Sequence, residues 1–576
     1  MKNITYKVPK RNKEVFLYPA LDCIPGLMLE NRRKIHGYKF EINGIPFQTL
    51  RDRTRMEVLQ QAVYYTNVIK SLLRKDKSGP CQYERNSAQK KVSWQVTQDK
   101  LYINELTLDS EAIKNIPIIQ TGHEPIFYHP GVWIKNHLTQ YLVKKLGGIG
   151  VNMVVDNDAC NMGFMYVPIL SEKSASIGKV ALVRNKDHVA YEEIVFDDFG
   201  SILQFKEEVI NLLRKNVFRE GVKTTAVDMQ DMFEQFIDCI EKCYYQGCID
   251  LVSLLTAARK SLEEDFDIEN LEVPVSWMCD TDGFYHFLLH ILYEADQFAK
   301  IYNEKLAEYR SIHKIRSKAN PLPDLKVFGD LIELPFWIWK TGGQRAKCYI
   351  VNEGDDIKIT DGIDPLVTLS KSEDAMKNIS RLNTMMDARI KIRPRAITTT
   401  MFSRLFISDV FIHGTGGAKY DTITDEIIKE FFGIDPPAFV TVSATLFLPL
   451  DTYDLNVKAL QELQRVVGDM CYNPERYASN DTQSKSEFMN SVKEKQRLLK
   501  VMAVGNADEK RRYFNQIKEL NKLMSMQINP ELQKKQSEID TICNKLTYNE
   551  VVRFREYPVY LYPMKVLKEY LLSIFS

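Results

Sequence analysis

His123, His129 and His137 stand in one turn-rich stretch, PIIQTGHEPIFYHPGVWIKNHL (Pro117–Leu138), among Gly122, Pro125, Pro130 and Gly131. Three kinds of chemistry fit these residue types. Neutral imidazoles ligate zinc or iron, but gaps of six and eight residues with no neighbouring cysteine are wider than the paired spacing of structural metal sites. A phosphate or nucleotide turn is the second reading. The first N–H groups of a helix that follows a strand are unpaired and carry the positive end of the helix dipole, and a proline and a glycine there let an anion approach. His123 and His129 would then stabilise negative charge that develops as a bond breaks. The third reading is a structural corner with solvated polar residues.

A second stretch shares the context. HGTGGAKYD, His413 to Asp421, follows an apolar run and precedes a helical pattern. Gly414, Gly416 and Gly417 permit positive φ and close approach of a ligand, and Lys419 supplies a point charge for an anion. The spacing is neither that of a P-loop nor G-x-G-x-x-G. Just upstream, IRPRAITTTMFSRLF adds Arg393, Arg395 and Arg404, a residue type suited to forked recognition of phosphate or carboxylate. Asp156 and Asp158 end the run VNMVVDND, where doubly wound folds often hold a ribose hydroxyl.

The elements around these residues predict how they are held. The apolar run Ile116–Gln120 suits a buried parallel strand. Apolar residues then recur at helical spacing from Val132 to Leu146, where Gly147-Gly148 closes the helix, and VNMVV supplies a second strand. Strand, turn, helix and strand make a βαβ unit of a parallel sheet. FISDVFIHGTGGAKYDTITDEIIKEFFG, followed by the strand AFVTVSATLFLPL, repeats the pattern far along the chain. Two such turns at the C-terminal ends of strands in one sheet would face one crevice, the usual ligand position in open α/β sheets.

The rest divides by pattern. Residues 1–110 read as a mainly helical region packed on the core, 111–200 as its first part and 201–325 as a helical insertion. Residues 326–480 are the second part of the α/β core, with ELPFWIWKTGGQRAKCYIVNEG a hairpin around Thr341-Gly342-Gly343. From 481 to 548 the chain is charged and helical. Tyr513, Ile517, Leu520 and Met524 lie at coiled-coil spacing there, and Asn529-Pro530 breaks the run into a hairpin of two helices. REYPVYLYP begins 549–576 as a strand returning to the core.

Composition bounds the partners. The 576 residues are 44% apolar and 27% charged with a formal net charge of +1, which argues against a nucleic-acid binder working by bulk charge. No run has the length of a membrane span or the shape of a secretory signal. Ten cysteines without C-x-x-C pairing read as reduced thiols of a cytoplasmic protein. No transition metal is expected.

QTGHEPIFYHPG, then VVDND, then IHGTGGAKYDTITDEIIKEFFG and a late helical hairpin resemble, in order, the bacillithiol biosynthesis cysteine-adding enzyme family over most of residues 110–576. Thr121, Gly122 and Pro125 match its first turn; Gly414, Gly416, Gly417 and Tyr420 match its last. His123-Glu124 replaces the family's glutamine pair, Lys419 and Asp421 depart from its Pro-Gly-Glu portion, and Asp156-Asn157-Asp158 is not its acidic motif. The resemblance is to a remote branch, so cysteine and bacillithiol need not be substrate or product. It implies a Rossmann-like, nucleotidyltransferase-like parallel-sheet core with helical insertions and a dimerising coiled coil.

The expectation is an α/β enzyme that joins a small amine or amino acid to another metabolite, or transfers a nucleotidyl group, with ATP or another nucleotide as the cofactor class. His123, His129, Asp156 and Asp158 would carry the chemistry. Thr121, Gly122, Gly131, His413, Gly414, Gly416, Gly417, Lys419, Asp421 and the three arginines would hold the anionic ligand, and the hairpin would make a homodimer. The alternative is a nucleotide- or metabolite-binding interaction protein on the same fold, without turnover.

Overall fold

A computed structural model of the chain describes residues 6–74, 100–103, 106–160, 163–171, 174–184, 188–216, 223–455 and 457–575. Its centre is a six-stranded sheet. The strands are β1 (Glu14–Tyr18), β2 (Ile118–His123), β3 (Ile149–Val154), β4 (Leu271–Pro274), and two from late in the chain, β10 (Val410–His413) and β11 (Val440–Thr445). Their order is β1-β11-β10-β2-β3-β4; β1 runs antiparallel to β11 and the others are parallel. The chain leaves β2 towards β4 on one side, and β10 and β11 then fill the other side. The winding therefore reverses between β2 and β10, the point where open α/β sheets form a crevice at the C-terminal ends of their strands.

The connecting helices lie on opposite faces, as that reversal requires. Helix α2 (Pro130–Leu146) links β2 to β3 and buries Trp133, Ile134 and Leu138 with Ile119, Ile412 and Val442. Helix α4 (Thr415–Phe431) links β10 to β11 and buries Ala418, Ile423 and Ile427 with Ile118 and Phe411. A third helix, α1 (Phe47–Leu73), runs along β4 and the Ser403–Ile407 turn. Because both faces are covered, Ile118–Thr121 of β2 and all of β3 are buried at successive residues, not alternate ones. Gly147, at φ 71°, caps α2 in the left-handed conformation that its position predicts.

A second sheet stands over the C-terminal end of β3. It is an antiparallel meander of β5 (Leu331–Lys340), β6 (Ala346–Glu353), β7 (Asp356–Thr360) and β8 (Pro365–Ser370), with β9 (Ile390–Pro394) on the other side of β5. The β5–β6 hairpin turns at Thr341-Gly342-Gly343, as predicted. Trp339 Nε1 donates to Glu193 Oε1 at 3.0 Å and Asn157 Nδ2 to the Pro394 carbonyl at 2.6 Å, tying this sheet to the loops beyond β3.

Three predicted elements differ. Residues 201–325 are not only helical: β4 lies among them, a four-residue strand ending in Pro274, too short to register against the helical pattern around it. REYPVYLYP forms no strand but a 3₁₀ turn at Val559–Leu561, whose flanking Pro558 and Pro563 have no N–H for a ladder. The charged region holds three helices, not two: α6 (Ser486–Val504), α7 (Ala507–Gln527) and α8 (Asn529–Val552). The extra break falls at Gly505-Asn506, where Asn506 and Glu509 form a capping box. With α5 (Val457–Tyr472) they form an arm that covers part of the predicted stripe: Ile517 and Met524 are buried, Tyr513 and Leu520 half-buried, and Met524 packs with Ile528 on Met470, Ala478 and Phe488. Of the predicted β-like piece Val92–Ile103, only Lys100–Ile103 is described, as a strand; the rest lies outside the described residues. No described helix is long and apolar enough to cross a membrane.

Candidate functional site

The two predicted turns end neighbouring parallel strands: Thr121 of β2 is opposite Ile412 of β10, and Thr121 Oγ1 donates to the Ile412 carbonyl at 2.9 Å. Gly122 has no room for a side chain, since a Cβ would come 2.7 Å from Met153 Cε and 2.9 Å from the Met153 carbonyl oxygen on β3.

The first turn closes on itself. His129 is the N-cap of α2, its Nδ1 accepting from Gly131 N–H at 3.1 Å, and its carbonyl accepts from Val132 and Trp133 N–H. A Cβ at Gly131 would collide with Arg555 Nη2. The N–H groups expected to face a phosphate are thus already used. Burial, with Arg555 and Lys135 nearby, holds the His129 pKa down at about 3, so the ring is neutral. Burial and Lys135 likewise keep His123 neutral, with its Nδ1 3.2 Å from the Glu124 carbonyl oxygen. His137 is packed against Trp133 and Phe266, away from the turn. No group of three or more His, Cys, Asp or Glu among the described residues is placed to hold a metal.

The second turn is the first turn of α4. Gly414 is its N-cap at φ −78°, and none of its three glycines is in the left-handed region. Gly417 is there for another reason: a Cβ would come 2.7 Å from His413 Nδ1. His413 Nε2 lies 2.5 Å from Asp421 Oδ2, and Arg404 donates to Asp421 at 2.9 Å and to Asp425 at 2.5 Å. Burial opposes ionisation of Asp421, but His413 and Arg404 hold its carboxyl far below the usual range. These three predicted ligand residues form a closed internal network. The N–H groups of Thr415, Gly416 and Gly417 meet no acceptor among the described residues, and Lys419 is exposed one turn further on. Of the two helix starts, only this one leaves first-turn N–H groups without an acceptor among the described residues.

Between the turns, residues that sequence reasoning passed over come together. Glu124 follows β2 directly. Its Oε2 accepts from the Tyr191 hydroxyl at 3.4 Å, and its carboxyl lies beside that of Asp158. Burial first, and the Asp158 charge second, push Glu124 up to about 7. Asp158 Oδ1 accepts from Arg345 Nη1 at 2.9 Å and from Ala159 N–H at 2.8 Å. The Arg345 and Arg395 guanidiniums stack 4.4 and 4.3 Å from the centroid of the Trp337 ring. Arg395 Nη1 donates to Glu333 at 2.8 Å, while its buried Nε and Nη2 have no acceptor among the described residues. Lys135, on α2, turns its ammonium back under the end of β2 and donates to the Gly122 carbonyl at 2.5 Å. It is 3% exposed, and burial, opposed by Glu124, pulls its pKa down to about 7. Its signal in the sequence was a lysine inside the apolar run VWIKNHL.

Two predicted residues serve elsewhere. Asp156 accepts from Ser276 N–H at 2.9 Å and Ser276 Oγ at 2.5 Å, anchoring the chain after β4, and burial raises it to about 7. Arg393 is committed to Glu192, with Nε at 2.9 Å and Nη2 at 3.2 Å. No family model matches the chain, and no curated protein matches it.

Proposed function

We propose that the crevice at the C-terminal ends of β2 and β3 is the active site of a group-transfer enzyme joining an amine or hydroxyl nucleophile to an activated, anionic second substrate. One observation carries this reading: Glu124 and Lys135 flank the end of the same strand, and burial brings both to about pH 7 from opposite directions. Titratable groups poised at the working pH are the mark of acid–base catalysis. Glu124, backed by Asp158 and Tyr191, accepts the nucleophile's proton. Lys135 returns a proton to the leaving group. The free N–H groups of Thr415, Gly416 and Gly417, with Lys419 beyond them, receive the anionic moiety, and Arg345 and Arg395 wall the crevice opposite. A nucleotide such as ATP fits that charge arrangement, as does the amino-acid ligase chemistry of the family that the sequence resembles.

Incubating the protein with ATP and mixed amines, amino acids and organic acids, then reading AMP, ADP or a new conjugate by mass spectrometry, tests it. Glu124→Gln removes the base and should reduce turnover about 10²–10⁴-fold. A turnover that survives this change sinks the assignment. Bound nucleotide with no product in wild type would instead identify a non-catalytic binding protein.

The dimer belongs to the same proposal, on a different surface. Ile517 and Met524 of the arm's a/d stripe are buried within the chain, whereas Phe514, Leu523 and Met526 are more than half exposed. These are the contacts we assign to a second copy. Sedimentation should show a dimer at micromolar concentration that Phe514→Asp with Leu523→Asp converts to monomer; a wild-type monomer ends the idea. Cys23, Cys239, Cys243, Cys279, Cys348, Cys471 and Cys543 are free thiols, and a cytoplasmic setting is the corresponding proposal.

A further inference from the structure

Most buried or half-buried arginines of this chain are paired with a carboxylate: Arg51 and Arg55 with Asp409, Arg259 with Glu263 and Glu272, Arg404 with Asp421. Arg555 is an exception. Its Nε and Nη2 donate to neutral oxygens of β11 only, at 3.3 Å to Thr445 Oγ1, 3.2 Å to Ser443 Oγ and 3.0 Å to the Ala444 carbonyl. Its Nη1 meets no acceptor among the described residues. Burial lowers its pKa, with Glu556, the residue next to it, opposing.

Arg555 lies at the back of a groove of about 810 Å³ at the C-terminal end of β11. Lys10, Arg11 and Arg553 also line this groove, no Asp or Glu does, and none of the four makes an ion pair among the described residues. The nearest acid of the N-terminal wall, Glu14, spends its carboxylate on the Lys10 and Arg11 backbone N–H groups, both at 2.9 Å. That wall is fixed: Asn12 Oδ1 accepts from Phe447 N–H at 2.8 Å, and Thr445 Oγ1 donates to the Pro9 carbonyl at 2.7 Å. Between the cations the surface is apolar, with Phe447, Leu448 and Leu450.

Four cations without an ion-pair partner among the described residues, around a volume typical of a small-molecule site with no acid in its lining, raise the local potential and call for a compact polyanion. We propose that this groove is a binding site for a triphosphate-bearing small molecule, its phosphates held by Arg555, Arg553, Arg11 and Lys10. Arginine suits the task because its planar fork meets phosphate oxygens two at a time. Only β10 separates the ends of β11 and β2, about 10 Å at the usual strand spacing. The groove is therefore near the crevice but shares none of its proposed catalytic residues.

Calorimetric titration at 0.15 M salt (about physiological) with sodium tripolyphosphate, ATP and a single-stranded oligonucleotide tests the assignment. Tripolyphosphate should bind wild type, and Arg11→Gln with Arg553→Gln should weaken it roughly tenfold or more. Both residues are exposed, so the variant should melt with wild type; Arg555→Gln should cost more but also loosens β11. Equal affinity for ATP and tripolyphosphate identifies a site that reads phosphates alone; tighter ATP binding that the double variant also weakens identifies one that seats the nucleoside on the apolar lining as well. No tripolyphosphate binding by wild type, undiminished binding by the double variant, or tighter binding of the oligonucleotide than of either triphosphate would overturn the proposal. Because Arg11 and Arg553 lie outside the crevice, the result stands whether or not Glu124 proves catalytic.

Discussion

Lys135→Met is expected to make the folded protein more stable at pH 6 while removing its turnover. Burial takes the Lys135 pKa from 10.5 to about 7 in the folded chain, whereas the unfolded chain keeps the higher value. Between these two pH values the unfolded state binds more protons, so stability rises with pH across that window. Below pH 7 the folded state must carry a buried ammonium, and at about 1.4 kcal/mol per decade the penalty is of order 5 kcal/mol. Methionine keeps the length and apolar stem and sheds the charge. Against that stands the lost hydrogen bond to the Gly122 carbonyl, about 1 kcal/mol. A net gain of a few kcal/mol at pH 6, shrinking to nothing near pH 10, is the expected result of urea unfolding at the two pH values. Equal stability at pH 6 would mean that the amine is not the burden its surroundings make it, and would remove the main reason to place it in a mechanism.

Glu124 has the opposite sign and adjoins the same window. Its folded pKa is raised from 4.5 to about 7, so the folded state binds more protons there and stability falls as pH rises from 4.5 to 7. Together the two groups set a stability minimum near neutrality, above which the ammonium penalty is relieved and below which the carboxylate penalty is. A site selected for stability alone would not retain both, and such tension is typical of functional sites.

What the sequence disclosed follows from local physics. The strand Ile118–His123, helix Pro130–Leu146 and strand Ile149–Val154 were legible because each is buried on both sides or on one stripe, and Gly147 marks its helix end. Two similar local contexts suggest that β2 and β10 share a sheet, but their pairing across some 290 residues leaves no local trace. The same holds for Arg345, stacked on Trp337, which meets Asp158 only because a second sheet folds over β3. The roles of His129 and His413 were not legible for another reason. A histidine beside a glycine has the same letters whether it binds a ligand, caps a helix or pairs with an aspartate one strand-to-helix turn away. Glu124 lay in full view between His123 and Pro125 and was passed over because nothing in its neighbours foretells burial.

Asp409→Ala is expected to cost about 3–5 kcal/mol of folding free energy, the range for removing one partner of a buried ion pair. The Asp409 carboxylate sits just before β10 and is nearly the sole compensation for two arginines of α1. Arg51 Nη2 donates to Oδ1 at 3.1 Å, Arg55 Nη1 to Oδ2 at 3.2 Å, and Ile118 N–H to Oδ2 at 2.9 Å. All three side chains are at most 6% exposed, so water cannot take over. Burial opposes ionisation of Asp409, but Arg55 and Arg51 hold its pKa below 3.8. Its contribution is therefore present above that pH and lost as pH falls through the folded value, so the wild type should converge on the variant in strong acid. Arginine backbone contacts, such as Arg55 Nη1 with the Ile407 carbonyl at 2.6 Å, survive the substitution but leave two positive charges beside each other. The discriminating variant removes all three charges. Arg51→Met and Arg55→Met added to Asp409→Leu should recover most of the loss, because well-packed apolar residues often replace a buried ionic cluster without net cost. Guanidinium unfolding of the three proteins decides the matter. A single substitution costing under 1 kcal/mol, or a triple variant no better than the single one, would show that the junction between α1 and the β2–β10 pair is held by packing and backbone hydrogen bonds, not by this carboxylate.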